Sequence, residues 1–405
     1  MKINTCRNCK KKKLDYLFSL GRICFTGKFP SKRKNINKAP LTLVMCKNCK
    51  LVQLAHKFNL QYLYGPDYGY RSNINKTMVA HLKKVVLNST NKVKLKVNDF
   101  VLDIASNDAT LLKNYPKKVK TFGIDPLVNK YAIEYKNIDY KSSNFFSLSA
   151  VRKKTLKKFK IITALSVFYD LENPNNFLFD VKNLLEDEGI FVLEFADLAS
   201  ILKNKMFDTI CHEHLEYYSS KLIVNMCDRN ELKVIDIFQN NINGSSKQFY
   251  ITKKSSKFNI NKFKIKKILN EEKRLKIDSK KTVIKLFKEV QKIKKELLKL
   301  IKKIKKKKEV IHGYGASTKG NVLLQYFGIK NNVVDYIAER NPKKCNLYTP
   351  GTKIKIISEK LSREKKPNYY LVLPWHFRKE ILLREKKIRA KGTKFIFPLP
   401  KIKLY

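Results

Sequence analysis

Val101-Leu-Asp-Ile-Ala-Ser-Asn-Asp-Ala-Thr-Leu-Leu112, followed by Phe122-Gly-Ile-Asp-Pro126, decides the fold. An apolar run ending in Asp103, a turn of small residues and a helical start describe a first strand handing a ligand to a helix N-terminus in a doubly wound sheet. The second apolar run ends in Asp125. An ionised carboxylate only accepts hydrogen bonds, so at the end of a second strand it suits both ribose hydroxyls of an adenosine ligand. This is the layout of an S-adenosylmethionine (SAM) site. Ala105 and Ala109 stand where glycines would allow closer backbone approach. Taken alone, the stretch reads equally as a generic strand-turn-helix of an α/β domain.

Strand and helix patterns keep alternating toward residue 250, as a mostly parallel sheet requires. Lys160–Ser166 predicts a third core strand, with Asp170, Asn173 and Pro174 in the loop beyond it. Phe177–Leu185 predicts a helix, broken at Glu186-Asp-Glu-Gly189, and Ile190–Glu194 another strand with Glu194 at its ligand-bearing end. Phe207-Asp-Thr-Ile-Cys-His-Glu-His-Leu-Glu-Tyr-Tyr-Ser219 then sets His212, Glu213 and His214 beside Tyr217 and Tyr218. Its polar density is too high for a core, and imidazole is the side chain best matched to proton transfer near neutral pH. A metal site and a surface loop are the rival readings, although two histidines at i and i+2 on an extended segment diverge.

Before the central stretch lie Tyr64-Gly-Pro-Asp-Tyr-Gly-Tyr-Arg-Ser72, a turn-rich linker, and residues 73 to 96, an amphipathic helix. The tyrosines serve either to cover a cofactor or to pack two domains together. Cys6-x2-Cys9 and Cys46-x2-Cys49 each offer two thiolates from one tight turn. Together they supply the four sulfurs of a closed, structural tetrahedral Zn2+ site, with disulfides as the alternative.

Residues 252 to 308 are basic with Ile and Leu at helical spacing, predicting one or two long helices with a solvated charged face. Glu309-Val-Ile-His-Gly-Tyr-Gly-Ala-Ser-Thr-Lys-Gly320 repeats the strand-turn-helix cradle and opens a second, smaller Rossmann-like domain. Further strands are predicted at 333–337, 369–373 and 395–397. The expected organisation is a zinc module with linker over 1–72, a Rossmann-like SAM-site domain over 73–250, which the resemblance given below makes a class I SAM-dependent methyltransferase domain, a helical connector over 251–308 and a C-terminal Rossmann-like domain over 309–405.

The 405 residues carry a net charge of +53, and 43 % of them are hydrophobic, which excludes a disordered chain. The charge attracts polyanions, but it is spread along the chain without an aromatic-basic RNA-binding signature. No apolar run reaches membrane-spanning length and the first residues lack a signal-type segment, so a cytoplasmic location is expected. Nothing in the pattern specifies an oligomeric state.

Over nearly its full length the chain resembles the sugar C-methyltransferases that act on dTDP-linked keto-deoxysugars. The resemblance rests on the two cysteine knuckles with Leu51-Val-Gln-Leu54, on Tyr68-Gly-Tyr-Arg-Ser72, on the central stretch with Gly123-Ile-Asp-Pro126, and on Phe207–Ser219. Asn243-Gly-Ser245, Gly313-Tyr-Gly-Ala-Ser-Thr-Lys-Gly-Asn321 and Leu373-Pro-Trp375 continue it in order. The chain departs from the family pattern at Ala105 and Ala109 (usually glycine), Cys211 (tyrosine), Asn243 (glycine), Phe195–Leu198 (where proline and tyrosine are favoured) and His376 (asparagine).

The resemblance implies C-methylation of a nucleotide-linked 4-keto sugar through an enolate. His214 would be the base, Glu213 its substrate-binding partner, and Tyr70 a candidate stabiliser of the oxyanion in place of the tyrosine missing at Cys211. SAM would lie on Asp103, Ala105, Ser106, Asn107, Asp125, Pro126 and Ser166 under Tyr68. The nucleotide sugar would meet His212, Tyr217, Tyr218, Gly244 and Ser245 on one side and Gly315, Ala316, Lys319 and Asn321 on the other. Charge alone favours a nucleic-acid (RNA) methyltransferase instead, and the two alanines a non-catalytic binding protein.

Overall fold

The computed structural model describes residues 1–33, 36–65 and 68–405 and contains three sheets. The first is antiparallel and joins Leu14–Cys24, Lys38–Cys46, Val52–Leu54 and, from far along the chain, Glu216–Tyr217. The two cysteine knuckles are built alike. Lys10 and Lys50, just after Cys9 and Cys49, take left-handed conformations, and their N–H groups bond back to the carbonyls of Cys6 and Cys46. The Sγ atoms of Cys6 and Cys49 lie 3.6 Å apart and those of Cys9 and Cys46 3.5 Å apart.

The second sheet has seven strands in the order Leu232–Asn240, Ser246–Lys253, Leu185–Phe195, Phe159–Leu165, Phe100–Ile104, Lys120–Ile124, Tyr140–Ser142. Ser246–Lys253 runs antiparallel to both its neighbours and the other strands are parallel to one another, the class I methyltransferase arrangement. Strand order reverses between Phe100–Ile104 and Phe159–Leu165, so their C-terminal ends open a crevice at the Asp103 turn. The break expected at Glu186–Gly189 is instead part of the Leu185–Phe195 strand. Leu185 pairs with Phe159 and Ile190 with Ile161, so the intervening residues leave the ladder as a bulge. The amphipathic helix expected over 73–96 runs from Lys76 to Lys92 and buries Met78, Leu82, Val85 and Val86.

The third sheet orders Lys355–Ser358, Tyr336–Glu339, Ile311–Tyr314, Tyr369–Val372, Lys394–Phe397 and an antiparallel Lys403–Leu404. The strand expected at 333–337 starts only at Tyr336, because the N–H groups of Val333 and Val334 close a turn onto the Lys330 carbonyl. The Lys355–Ser358 strand was not expected.

Two helices, Lys262–Arg274 and Lys280–Lys306, join the lobes. The longer buries Val283, Leu286, Val290, Ile293, Leu297, Ile301 and Ile304, a spacing of three and four that keeps one stripe inward. That stripe shares a core with Leu17 and Phe18 of the first sheet and Phe327 and Leu371 of the last lobe. The helix is therefore a common wall rather than a spacer, and it fixes the zinc module and C-terminal lobe on either side of one crevice.

Candidate active site

A cavity of about 460 Å³ opens where the three sheets meet. Its floor is the turn after Phe100–Ile104. Ala105, Asn107 and Ala109 there have φ of 56°, 50° and 58°, so the alanines hold the left-handed conformation that glycine adopts freely. Asp125 ties the turn down. One of its carboxylate oxygens accepts the Asn107 N–H at 2.9 Å and the other the Leu127 N–H at 2.7 Å. Asp103 accepts the Thr163 hydroxyl at 2.5 Å. It has no cationic partner among the described residues, and burial pushes its carboxyl up to about 7. Burial likewise raises Asp125 to about 6.

Buried carboxylates in search of donors, above a turn of backbone N–H groups, match the ammonium and ribose hydroxyls of SAM. Ser106, Pro126 and Ser166 line the same cavity, with Tyr68 and Tyr70 over it. Pro66 and Asp67 of the linker lie outside the described residues. Tyr64, the first tyrosine of that linker, lines the cavity and donates its hydroxyl to Asp170 at 2.6 Å.

The Phe207–Ser219 segment overturns the expectation that it is too polar for a core. All of it is buried except His214, which is partly open. One oxygen of each buried carboxylate is paired, Asp208 accepting from Trp375 Nε1 at 2.8 Å and Glu216 from the Tyr218 hydroxyl at 2.8 Å, while Asp208 Oδ1, Glu216 Oε1 and the Thr209 hydroxyl have no hydrogen-bond partner among the described residues. His214 faces the cavity against the Tyr169 ring, at 4.2 Å. Its Nδ1 lies 2.7 Å from the Thr209 carbonyl, which can only accept. Nδ1 therefore carries the hydrogen and Nε2 a lone pair. Burial, and secondly Lys319, hold the imidazolium pKa down at about 3, so the ring is neutral at physiological pH.

Glu213 lines the cavity too. Its carboxylate accepts the Gly27 N–H at 3.1 Å and the Thr26 hydroxyl at 3.2 Å.

From the C-terminal lobe Gly315, Ala316 and Lys319 reach the cavity, with Ser317 capping the Thr318–Phe327 helix. Lys344, absent from the expected set, donates to the Ala316 carbonyl at 2.7 Å.

Six expected substrate contacts lie outside the cavity. His212 is packed between Phe25 and Phe58, its Nε2 3.1 Å from the Ala39 carbonyl, because the chain turns at Cys211–His214, where the His214 N–H bonds back to the Cys211 carbonyl, and the turn carries the two imidazoles into different surroundings. Tyr217 and Tyr218 are buried, and Tyr217 donates to the His214 carbonyl. Gly244 packs on Met206 and Trp375, and Ser245 bonds Ser200 and Gln239. It is Asn243 that lines the cavity. Asn321 donates to the Thr26 carbonyl at 2.7 Å and so braces the residue that holds Glu213. No short-range signal marks Thr26 and Gly27, since their role depends on a partner far along the chain.

Tetrahedral Zn–S bonds of about 2.3 Å place sulfurs about 3.8 Å apart, close to the separations found here. All four cysteine sulfurs lie within 4.8 Å of one another, the one such cluster among the described residues. No described helix is long and apolar enough to cross a membrane.

The fold and this cavity define a SAM-dependent methyltransferase with a structural zinc site. Family models match in tandem: a zinc binding domain over 6–64, a methyltransferase domain over 75–237 and a C-methyltransferase C-terminal domain over 241–400. C-methyltransferase NovU of Streptomyces niveus is 25% identical over 364 residues, covering 89% of this chain and 86% of that protein. Zinc-binding, methyltransferase and C-methyltransferase C-terminal domains thus follow one another in the order that the resemblance implies.

Among solved structures, a SAM-dependent methyltransferase from Clostridium acetobutylicum aligns at 12% identity and TM-score 0.35, over 43% of this chain and 91% of that one. N-methyltransferase NodS from Bradyrhizobium japonicum aligns at 13% and 0.33, over 43% and 94%.

Proposed function

We propose that the enzyme methylates a carbon beside the ketone of a nucleotide-linked keto sugar of the dTDP type. The observation that carries this reading is an imidazole with its Nε2 lone pair free, in one cavity with the Asp103 turn and the Gly315 cradle. The similarity to a C-methyltransferase supports carbon as the acceptor.

Hydrogens on a carbon next to a ketone are acidic enough for a positioned base to remove. His214 Nε2 takes that proton. Glu213, held by Thr26 and Gly27, accepts a sugar hydroxyl and orients the ring. The diphosphate lies at the Ser317-capped helix N-terminus, where backbone N–H groups and the Lys344 ammonium favour anions. SAM, held by Asp103, Asp125 and the Ala105–Asn107 turn beneath Tyr68 and Tyr70, supplies an electrophilic methyl group when bound.

The test is incubation with methyl-labelled SAM and dTDP-linked 4-keto sugars, the product read by carbon NMR. A new carbon-bound methyl group is expected. His214→Asn keeps SAM affinity and abolishes transfer; loss of both together would assign His214 a structural role. Label entering RNA but no keto sugar, with activity falling steeply as salt rises, would establish the nucleic-acid reading instead.

A further inference from the structure

Lys319 is a lysine at the cavity wall without a carboxylate partner within ion-pair distance among the described residues. Its Nζ donates to the Asn243 carbonyl at 2.9 Å, and no other bond of this ammonium to a described residue is formed. An ammonium has three donors, so two remain for a ligand. The Asp208 carboxylate of the Phe207–Ser219 segment opposes the loss of its proton. Lys319 is also close enough to His214, and to His376 beyond the Tyr369–Val372 strand, to make both imidazoles harder to protonate. Burial is the larger influence on all three groups and draws the lysine below its usual range.

Resting on the enolate reading above, we propose that Lys319 is a catalytic residue, the hydrogen-bond donor that receives the ketone oxygen as its negative charge develops. The step is closed in atoms and charge. The carbon–hydrogen bond breaks, the proton goes to His214 Nε2, the bonding pair becomes the enolate double bond, and the carbonyl pair moves onto the oxygen facing the ammonium. A base as weak as a buried neutral imidazole needs such a partner, since the imidazolium and enolate form together. Cys211 lies beside Lys319 but is fully buried, and a thiol is a poor donor to an oxyanion. A preformed cation in a dry cavity stabilises developing charge without reorganising at the moment of reaction.

The experiment follows hydrogen–deuterium exchange at the α-carbon of a dTDP-linked 4-keto-6-deoxyhexose in D2O, with S-adenosylhomocysteine present, alongside steady-state methylation. The zinc-loaded full chain is used as wild type, Lys319→Met and Lys319→Arg. Lys319→Met is expected to bind SAM and dTDP within about threefold of wild type while exchange and kcat both fall by roughly 10²–10³-fold, the usual cost of losing an oxyanion donor. Lys319→Arg restores part of the rate. It also moves the alkaline limb of the pH–rate profile upward, because guanidinium keeps its proton where the buried lysine loses it.

Wild-type exchange rates in Lys319→Met would overturn the proposal. So would a loss confined to KM, or an alkaline limb unmoved in Lys319→Arg. Wild-type protein that binds SAM but neither exchanges nor methylates any keto sugar overturns the substrate reading, and this inference with it.

Discussion

Glu213 Oε1 accepts the backbone N–H of Gly27 at 3.1 Å, so a carboxylate of the Phe207–Ser219 segment is held by the zinc module. A Cβ at position 27 would come 2.8 Å from that oxygen. Gly27→Ala should displace Glu213 and lower kcat about 10–100-fold, as expected for misplacing a positioning group. Calorimetry should find SAM affinity unchanged, because the Asp103 turn lies on another sheet.

Zinc removal should reach the same segment. The second knuckle leads directly into Val52–Leu54, which pairs with Glu216–Tyr217 two residues beyond His214. Metal binding energy is folding energy in such a module. Cys46→Ser, or chelation, should therefore release zinc, melt the first sheet and abolish turnover, while the class I domain keeps measurable SAM affinity. Circular dichroism and zinc release measured together check this.

Burial raises the Asp103 carboxyl to about 7, so the free enzyme is partly protonated at neutral pH. A cationic ligand needs the ionised form. SAM affinity should thus rise with pH, about tenfold between pH 6 and pH 8, and Asp103→Asn should flatten the profile. For stability the sign is opposite. The folded carboxyl holds its proton more tightly than the unfolded one, so its contribution to stability falls as pH climbs from the ordinary aspartate range toward 7.

Ala105 has φ of 56° and is partly open to the cavity. Left-handed backbone costs a non-glycine residue roughly 1–2 kcal/mol, part of which glycine loses again through greater freedom when unfolded. Ala105→Gly should stabilise the methyltransferase domain by about 0.5–1 kcal/mol and raise its Tm by roughly 1–3 °C in a thermal scan. Ala109, fully buried in the core, should show no such gain, because its methyl group is lost from packing.

The sequence by itself determined the strands around Asp103 and Asp125, the two cysteine knuckles and the glycine cradle at 315. Each is a short-range pattern whose meaning is set by neighbouring residues: apolar runs ending at a turn, or two thiolates on one loop. Tertiary structure decided which residues of those motifs meet. His212 and His214 read alike along the chain, yet packing against Phe25 and Phe58 buries one while the other faces the cavity. Gly244, Ser245 and Asn321 act one layer behind the surface they were expected to form. Thr26 beneath Glu213 and Lys319 beside His214 are brought there by the shared core of the Lys280–Lys306 helix, the first sheet and the last lobe. Such contacts follow from how whole elements bury their apolar faces against each other, and no local spacing encodes them.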